Sequence, residues 1–119
     1  MASEDVRVVL QGHVAVVEMC RPPNNFIDVD LIAAVASAFE QLDLEPACRS
    51  IVLAAEGKHF CAGGNLKQRL EAEARGEKFV APARHPYKEA RRLVETRKPI
   101  VAAVQGSAIG AGLGLAAIA

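Results

Sequence analysis

The spacing of apolar residues changes along the chain, and each change predicts a different element. Val6–Leu10 and Val14–Met19 are valine-rich runs separated by Gly12-His13. This reads as a β-hairpin with a two-residue turn and Gly at its first central position. Arg21-Pro-Pro-Asn-Asn25 follows. Its two prolines exclude regular structure, and Asn24 and Asn25 can bond their own backbone, so it reads as a loop. Leu31, Ile32, Val35, Phe39 and Leu42 then recur at three- and four-residue spacing. That period predicts an amphipathic helix over about 29–43, with Asp28 as N-cap and Asp30 in the first turn. Pro46 closes its exit.

Ser50-Ile-Val-Leu-Ala-Ala55 is a short apolar run. It predicts a strand buried on both faces, and hence a parallel sheet and an α/β class. It runs into a loop of small residues, Gly57-Lys-His-Phe-Cys-Ala-Gly-Gly-Asn-Leu66, with Asn65 placed to cap a helix. Lys67 to Pro86 are highly charged and broken by Gly76, Pro82 and Pro86. They read as a helix and then a mobile loop, either a solvated excursion or a lid over a ligand. A helix returns over Tyr87–Thr96, with Tyr87, Ala90 and Val94 on one face, and ends at Lys98-Pro99. A last strand is predicted at Ile100–Val104, followed by Gly106-Ser-Ala-Ile-Gly-Ala-Gly-Leu-Gly-Leu-Ala116.

Four glycines between Gly106 and Gly114 are a poor choice for an ordinary helix, since each costs up to about 1 kcal/mol against Ala. They suit a sharp strand-to-helix turn, a close approach of backbone to a ligand, or close helix packing. Two buried strands thus each end in a Gly/Ala-rich turn that leads into a helix. In a parallel sheet both turns lie at the carboxyl ends of the strands, where ligands of open α/β sheets bind. One backbone N–H from each turn could converge on one carbonyl oxygen, forming an oxyanion hole built from main chain.

Composition narrows the function classes. The chain has 119 residues, 51% apolar and 24% charged, which is globular and enough for one domain. Fourteen basic residues balance fourteen acidic ones, so nothing in the total points to nucleic acid or a membrane surface. No apolar run approaches the roughly 20 residues of a membrane span, and the N-terminus lacks the regions of a signal peptide. Cys20, Cys48 and Cys61 lack metal-type spacing and read as reduced thiols of a cytoplasmic protein; no metal is expected. The chain stops at Leu113-Gly-Leu-Ala-Ala-Ile-Ala119, inside an apolar segment with no cap, as the N-terminal part of a longer protein would.

His59-Phe-Cys-Ala-Gly-Gly-Asn-Leu66 and Pro99-Ile-Val-Ala-Ala-Val-Gln-Gly-Ser-Ala-Ile-Gly-Ala-Gly-Leu-Gly-Leu-Ala116 resemble the two signature segments of the crotonase (enoyl-CoA hydratase/isomerase) superfamily. The hairpin, the Arg21-Pro-Pro-Asn-Asn loop and the helix after it look similar too, so the resemblance covers nearly the whole chain. It implies a crotonase-like spiral of ββα units, of which residues 1–119 would be the N-terminal part of one core domain. The C-terminal helical part that makes trimers would lie outside them. It further implies a homotrimer or hexamer, an acyl-CoA thioester as substrate, fatty acid metabolism as a setting, and no cofactor beyond the coenzyme A of the thioester. The oxyanion-hole N–H groups would fall on Gly64 and Ala111. Ala62, Gly63, Asn65 and Leu66 would lie along the CoA arm, and Arg21 would sit near the CoA.

Three departures bear on the reaction. The family usually has Gly where Ala111 stands and, in hydratases, Asp where Asn65 stands. The first catalytic glutamate of the hydratases falls on Gly114, which cannot transfer a proton; their second would lie beyond Ala119. Hydration, double-bond isomerisation, hydrolysis, decarboxylation and a catalytically inactive CoA-binding member therefore all stay open. Other candidates have plainer readings. His59 is a loop histidine with an ordinary hydrogen bond, His13 and His85 are surface residues, and Cys61 packs as a small residue. Glu18, Asp28 and Glu56 are cap or surface groups. Lys67, Arg69 and Arg75 form a solvated helix face or meet CoA phosphates. A rival class is an NAD(P)-binding module, because Gly106-Ser-Ala-Ile-Gly-Ala-Gly112 has the Gly-x-x-x-Gly-x-Gly spacing of short-chain dehydrogenases. Such a motif belongs on the first strand with an acidic residue about 20 positions on; here it follows about a hundred residues with their own signature loop, and residues 1–119 stop before that position.

Overall fold

The computed structural model describes residues 4–76 and 86–119. Strands β1 (Val6–Gln11), β2 (Val14–Met19), β3 (Ser50–Ala55) and β4 (Ile100–Ala102) form one sheet in the order β1-β2-β3-β4. The β1–β2 pair is antiparallel and closes through Gly12-His13, as the valine pattern predicts, with Gly12 at φ 61°. The β2–β3 and β3–β4 pairs are parallel. The helices are α1 (Val29–Asp43), α2 (Leu66–Ala74), α3 (Pro86–Val94) and α4 (Ala111–Ala117).

Helix α1 begins where the sequence places it. The Asp28 side chain accepts the Leu31 N–H at 2.9 Å, satisfying one of the donors that a helix start leaves open. Leu31, Val35, Ala36, Phe39 and Leu42 bury the apolar stripe of α1 in a core shared with Val6, Ala15, Val17, Met19, Ile51 and Leu53 from one face of the sheet. Each fully buried large side chain of this set contributes on the order of 1.5–3 kcal/mol.

The other face of the sheet corrects two expectations. Val9, Val16, Val52 and Val101 stand in register as one row across all four strands. Val9 and Val101 are 43% and 62% exposed, so β3 is buried on one face only. An apolar run alone does not separate a strand buried twice from one buried once. The last strand is also shorter than predicted. It stops at Ala102, because Ala103 donates to Leu53 at the end of the ladder and the chain then turns away. Helix α3 runs Pro86–Val94, ending two residues short of the predicted Thr96. The lid reading of the charged stretch, and His85 with it, falls largely on residues 77–85, outside the described residues.

Candidate active site

The first glycine turn leaves β3 and is tied down mainly through Asn25. Asn25 is fully buried, at φ 50°. Its Nδ2 donates to the carbonyls of Glu56 and His59, both at 2.8 Å, and its Oδ1 accepts the Arg21 N–H at 2.9 Å. These are bonds across the fold as well as within the loop, so the purely local reading of this asparagine is corrected. Main-chain bonds complete the junction: His59 N–H to the Pro23 carbonyl, Ala62 N–H to Asn24, and Ile27 N–H to Gly63. Phe60 and Cys61 are buried beneath the turn. Burial pushes the Cys61 thiol up from its ordinary value, which suits packing rather than a nucleophilic thiolate.

The second turn is laid against the first. Phe60 N–H donates to the Gln105 carbonyl (2.8 Å), Cys61 N–H to Ser107 (3.1 Å) and Ile109 N–H to Cys61 (3.0 Å). Cys61 and Ala108 form an isolated parallel bridge. At Gly112 the backbones come so close that an added Cβ would collide with the Cys61 carbonyl. This contact is the physical reason for at least one glycine of the stretch.

The two turns frame a cavity of about 670 Å³. Gly64 from the first turn and Ala111 and Gly114 from the second all line it. Ile27 and Ile32 line the α1 side, Leu93 and Val94 the α3 side, and Leu115 and Ile118 come from α4 and its C-cap. Among the described residues, the N–H groups of Gly64 and Ala111 donate to no protein group. A Cβ built at Gly64 or at Gly114 meets nothing within 4 Å. Gly114 is therefore not forced by packing, unlike Gly112.

The remaining predicted residues stand behind this wall. Ala62 and Gly63 contribute main-chain bonds that hold the turn, and Asn65 and Leu66 lead into α2. Arg21 does not line the cavity. Its guanidinium pairs with Asp5 and Asp28, both at 2.8 Å, and the hydrogen bond to Asp5 contributes most to raising it above its ordinary value. Asp5 is correspondingly lowered by its hydrogen bond to Arg21. Among the described residues lining the cavity, Asp28 is the one that is ionisable, and its two oxygens are engaged by Leu31 and Arg21.

Sequence reasoning missed the attachment of α3. Arg92 reaches across to Glu40 and Ser37 of α1 and bonds Glu89 on its own helix. Such pairs carry no pattern in a sequence, because the partners are 52 and 55 residues apart. Lys67 is exposed on α2, and Arg75 just past its end is exposed too. Among the described residues no group of His, Cys, Asp and Glu could hold a metal ion, and no helix is long and apolar enough to cross a membrane.

Residues 10–119 match the sequence model of the enoyl-CoA hydratase/isomerase family. The chain belongs to that family. Both glycine turns and the cavity lie inside the matched range. An enoyl-CoA hydratase of Mycobacterium tuberculosis is 32% identical over 91% of this chain and 41% of its own length. A carnitinyl-CoA dehydratase of Salmonella arizonae is 33% identical over 96% of this chain and 43% of its own. The crystal structure of an enoyl-CoA hydratase/isomerase from Marinobacter aquaeolei superposes with a TM-score of 0.76 at 27% identity, over 98% of this chain and 47% of that one. The chain spans less than half the length of these relatives. As an enoyl-CoA hydratase/isomerase family member it places its glycine-rich turn after the fourth strand, at the edge of the sheet. The dinucleotide reading, which needs the first strand, is set aside.

Proposed function

We propose that this protein binds an acyl-CoA thioester and stabilises its enolate oxyanion, as in enoyl-CoA hydratase/isomerase chemistry. The observation that carries the reading is the pairing of Gly64 and Ala111 on one cavity, each with an N–H that no group among the described residues takes up. In this reading the thioester oxygen accepts both N–H groups. As a proton leaves the carbon beside the carbonyl, or water adds at the double bond, charge builds on that oxygen and the two donors hold it. Removing one such donor costs about 2.7–4 kcal/mol of transition-state stabilisation. Ile27, Ile32, Leu93 and Val94 supply an apolar wall for the acyl group. Ala62 to Leu66 run along the CoA arm, and Arg21 acts at its edge by fixing Asp28. The proton carrier is assigned to a residue outside residues 1–119, because the family's acid position is Gly114 and, among the described residues lining the cavity, the acid Asp28 is committed to its cap and its arginine. A homotrimer or hexamer in the cytoplasm belongs to the same proposal.

A second reading, a CoA-binding member without turnover, is favoured by Gly114 alone. One experiment separates the two. The protein is mixed with a short trans-2-enoyl-CoA, loss of the conjugated thioester absorbance is followed, and CoA binding is measured by calorimetry. Turnover supports the hydratase reading, binding without turnover supports the second or the other reactions of the family, and no binding removes both. Ala111→Pro sharpens the test. Proline suits the first position of a helix; it deletes the N–H in question and puts its ring Cδ where that hydrogen pointed. With turnover present, kcat should fall by about 10²–10³-fold.

A further inference from the structure

We infer that His59 is a positioning residue whose ring holds the second glycine turn, and with it Ala111, in register with Gly64. The inference rests, for its catalytic part, on the function proposed above. The polar groups of His59 join two segments. Its N–H donates to the Pro23 carbonyl and its carbonyl accepts from Asn25, which fixes the residue in the Arg21–Asn25 junction. Its ring Nδ1 accepts the N–H of Ser107 at 3.0 Å. Ser107 is also the residue whose carbonyl accepts from Cys61, so both main-chain groups of Ser107 are held by the first turn.

The fit is close. A Cβ at Gly106, itself at φ 58°, would collide with the Lys58 carbonyl and stand 2.8 Å from the ring Nδ1, so glycine is required first by the Lys58 backbone and also leaves room for the imidazole. An amide N–H pointing at Nδ1 requires an unprotonated nitrogen there and puts the ring proton on Nε2. Three residues separate Ser107 from Ala111, and Ile109 among them is tied to Cys61. Releasing Ser107 therefore frees the start of the segment that ends at the proposed donor. The sequence reading allowed His59 an ordinary hydrogen bond; the structure shows which one and what it holds.

The test begins with no variant at all. Imidazole ¹⁵N shifts of the full chain near neutral pH should show His59 with Nδ1 bare and Nε2 protonated; a proton on Nδ1 overturns the inference. His59→Leu removes the acceptor, whereas His59→Asn can offer Oδ1 close to the place of Nδ1. Amide exchange at Ser107 and Ile109 should rise by at least about tenfold in the leucine variant and return close to wild type in the asparagine one. Given turnover, kcat should fall in His59→Leu with KM little changed and recover in His59→Asn. Equal behaviour of the two variants overturns the inference, even with both folded. Failure of the wild type to bind acyl-CoA overturns the proposed function instead, while the tautomer and exchange results still decide the role of His59.

Discussion

The two glycine turns look alike as sequence but are held in opposite ways. The first rests on side chains: Phe60 and Cys61 are fully buried beneath it, and Asn25 staples it to the loop before α1. The second has almost no anchors of its own. Ile109 and Leu113 are 56% and 60% exposed, and only Gly112 and Leu115 of α4 are buried. It takes its shape from main-chain bonds to the first turn, from the Gln105 side chain, which donates to the Ala55 and Gly57 carbonyls, and from the His59 ring. The first turn is thus a template and the second a copy laid on it. Two residues on one cavity do not imply two equally robust supports.

Four substitutions would break or sharpen this contrast. Phe60→Ala strikes the template and should cost about 3–5 kcal/mol, measured as the shift in denaturant midpoint at constant slope. Asn25→Ala leaves the Glu56 and His59 carbonyls and the Arg21 N–H unmatched at a left-handed backbone position. It should cost about 1–3 kcal/mol, and Asn25→Gly, which tolerates that φ, should cost less. Gly112→Ala forces a methyl onto the Cys61 carbonyl and should cost about 1–3 kcal/mol. Its signature should be separation of the turns, read as faster amide exchange at Ile109 with the hairpin amides unchanged. Leu113→Ala touches only the copy and should stay within about 0.5 kcal/mol by thermal melting. A loss at Leu113 as large as that at Phe60 would end the comparison.

Much of this arrangement was legible in the sequence. The valine runs and Gly12-His13 gave the hairpin, the spacing of Leu31 to Leu42 gave α1, and Asp28 caps where the pattern says it should. The two turns were legible because glycine clusters have few other uses beside buried strands. What escaped the sequence was whatever depends on remote partners. Asn25 reaches Glu56 and His59, 31 and 34 residues away, and Arg92 reaches Glu40, 52 away. Local preference is silent about such bonds. The difference between Gly112, wedged against Cys61, and Gly114, facing open space, is likewise invisible in a row of identical letters. The valine row was misjudged for the same reason: apolar character does not say whether a face finds a cover.

The Cys61–Ala108 bridge also bears on how the molecule is made. Synthesis proceeds from the N-terminus at about 5–20 residues per second, so the hairpin and α1 emerge seconds before residue 108 does. Through that interval the N–H groups of Phe60 and Cys61 lack the carbonyls they will donate to, those of Gln105 and Ser107. The nascent chain therefore carries an unsatisfied strand-like edge at Phe60 and Cys61, a surface open to chaperones and to neighbouring chains. Closure of the second turn on the first and removal of that exposed edge are one event.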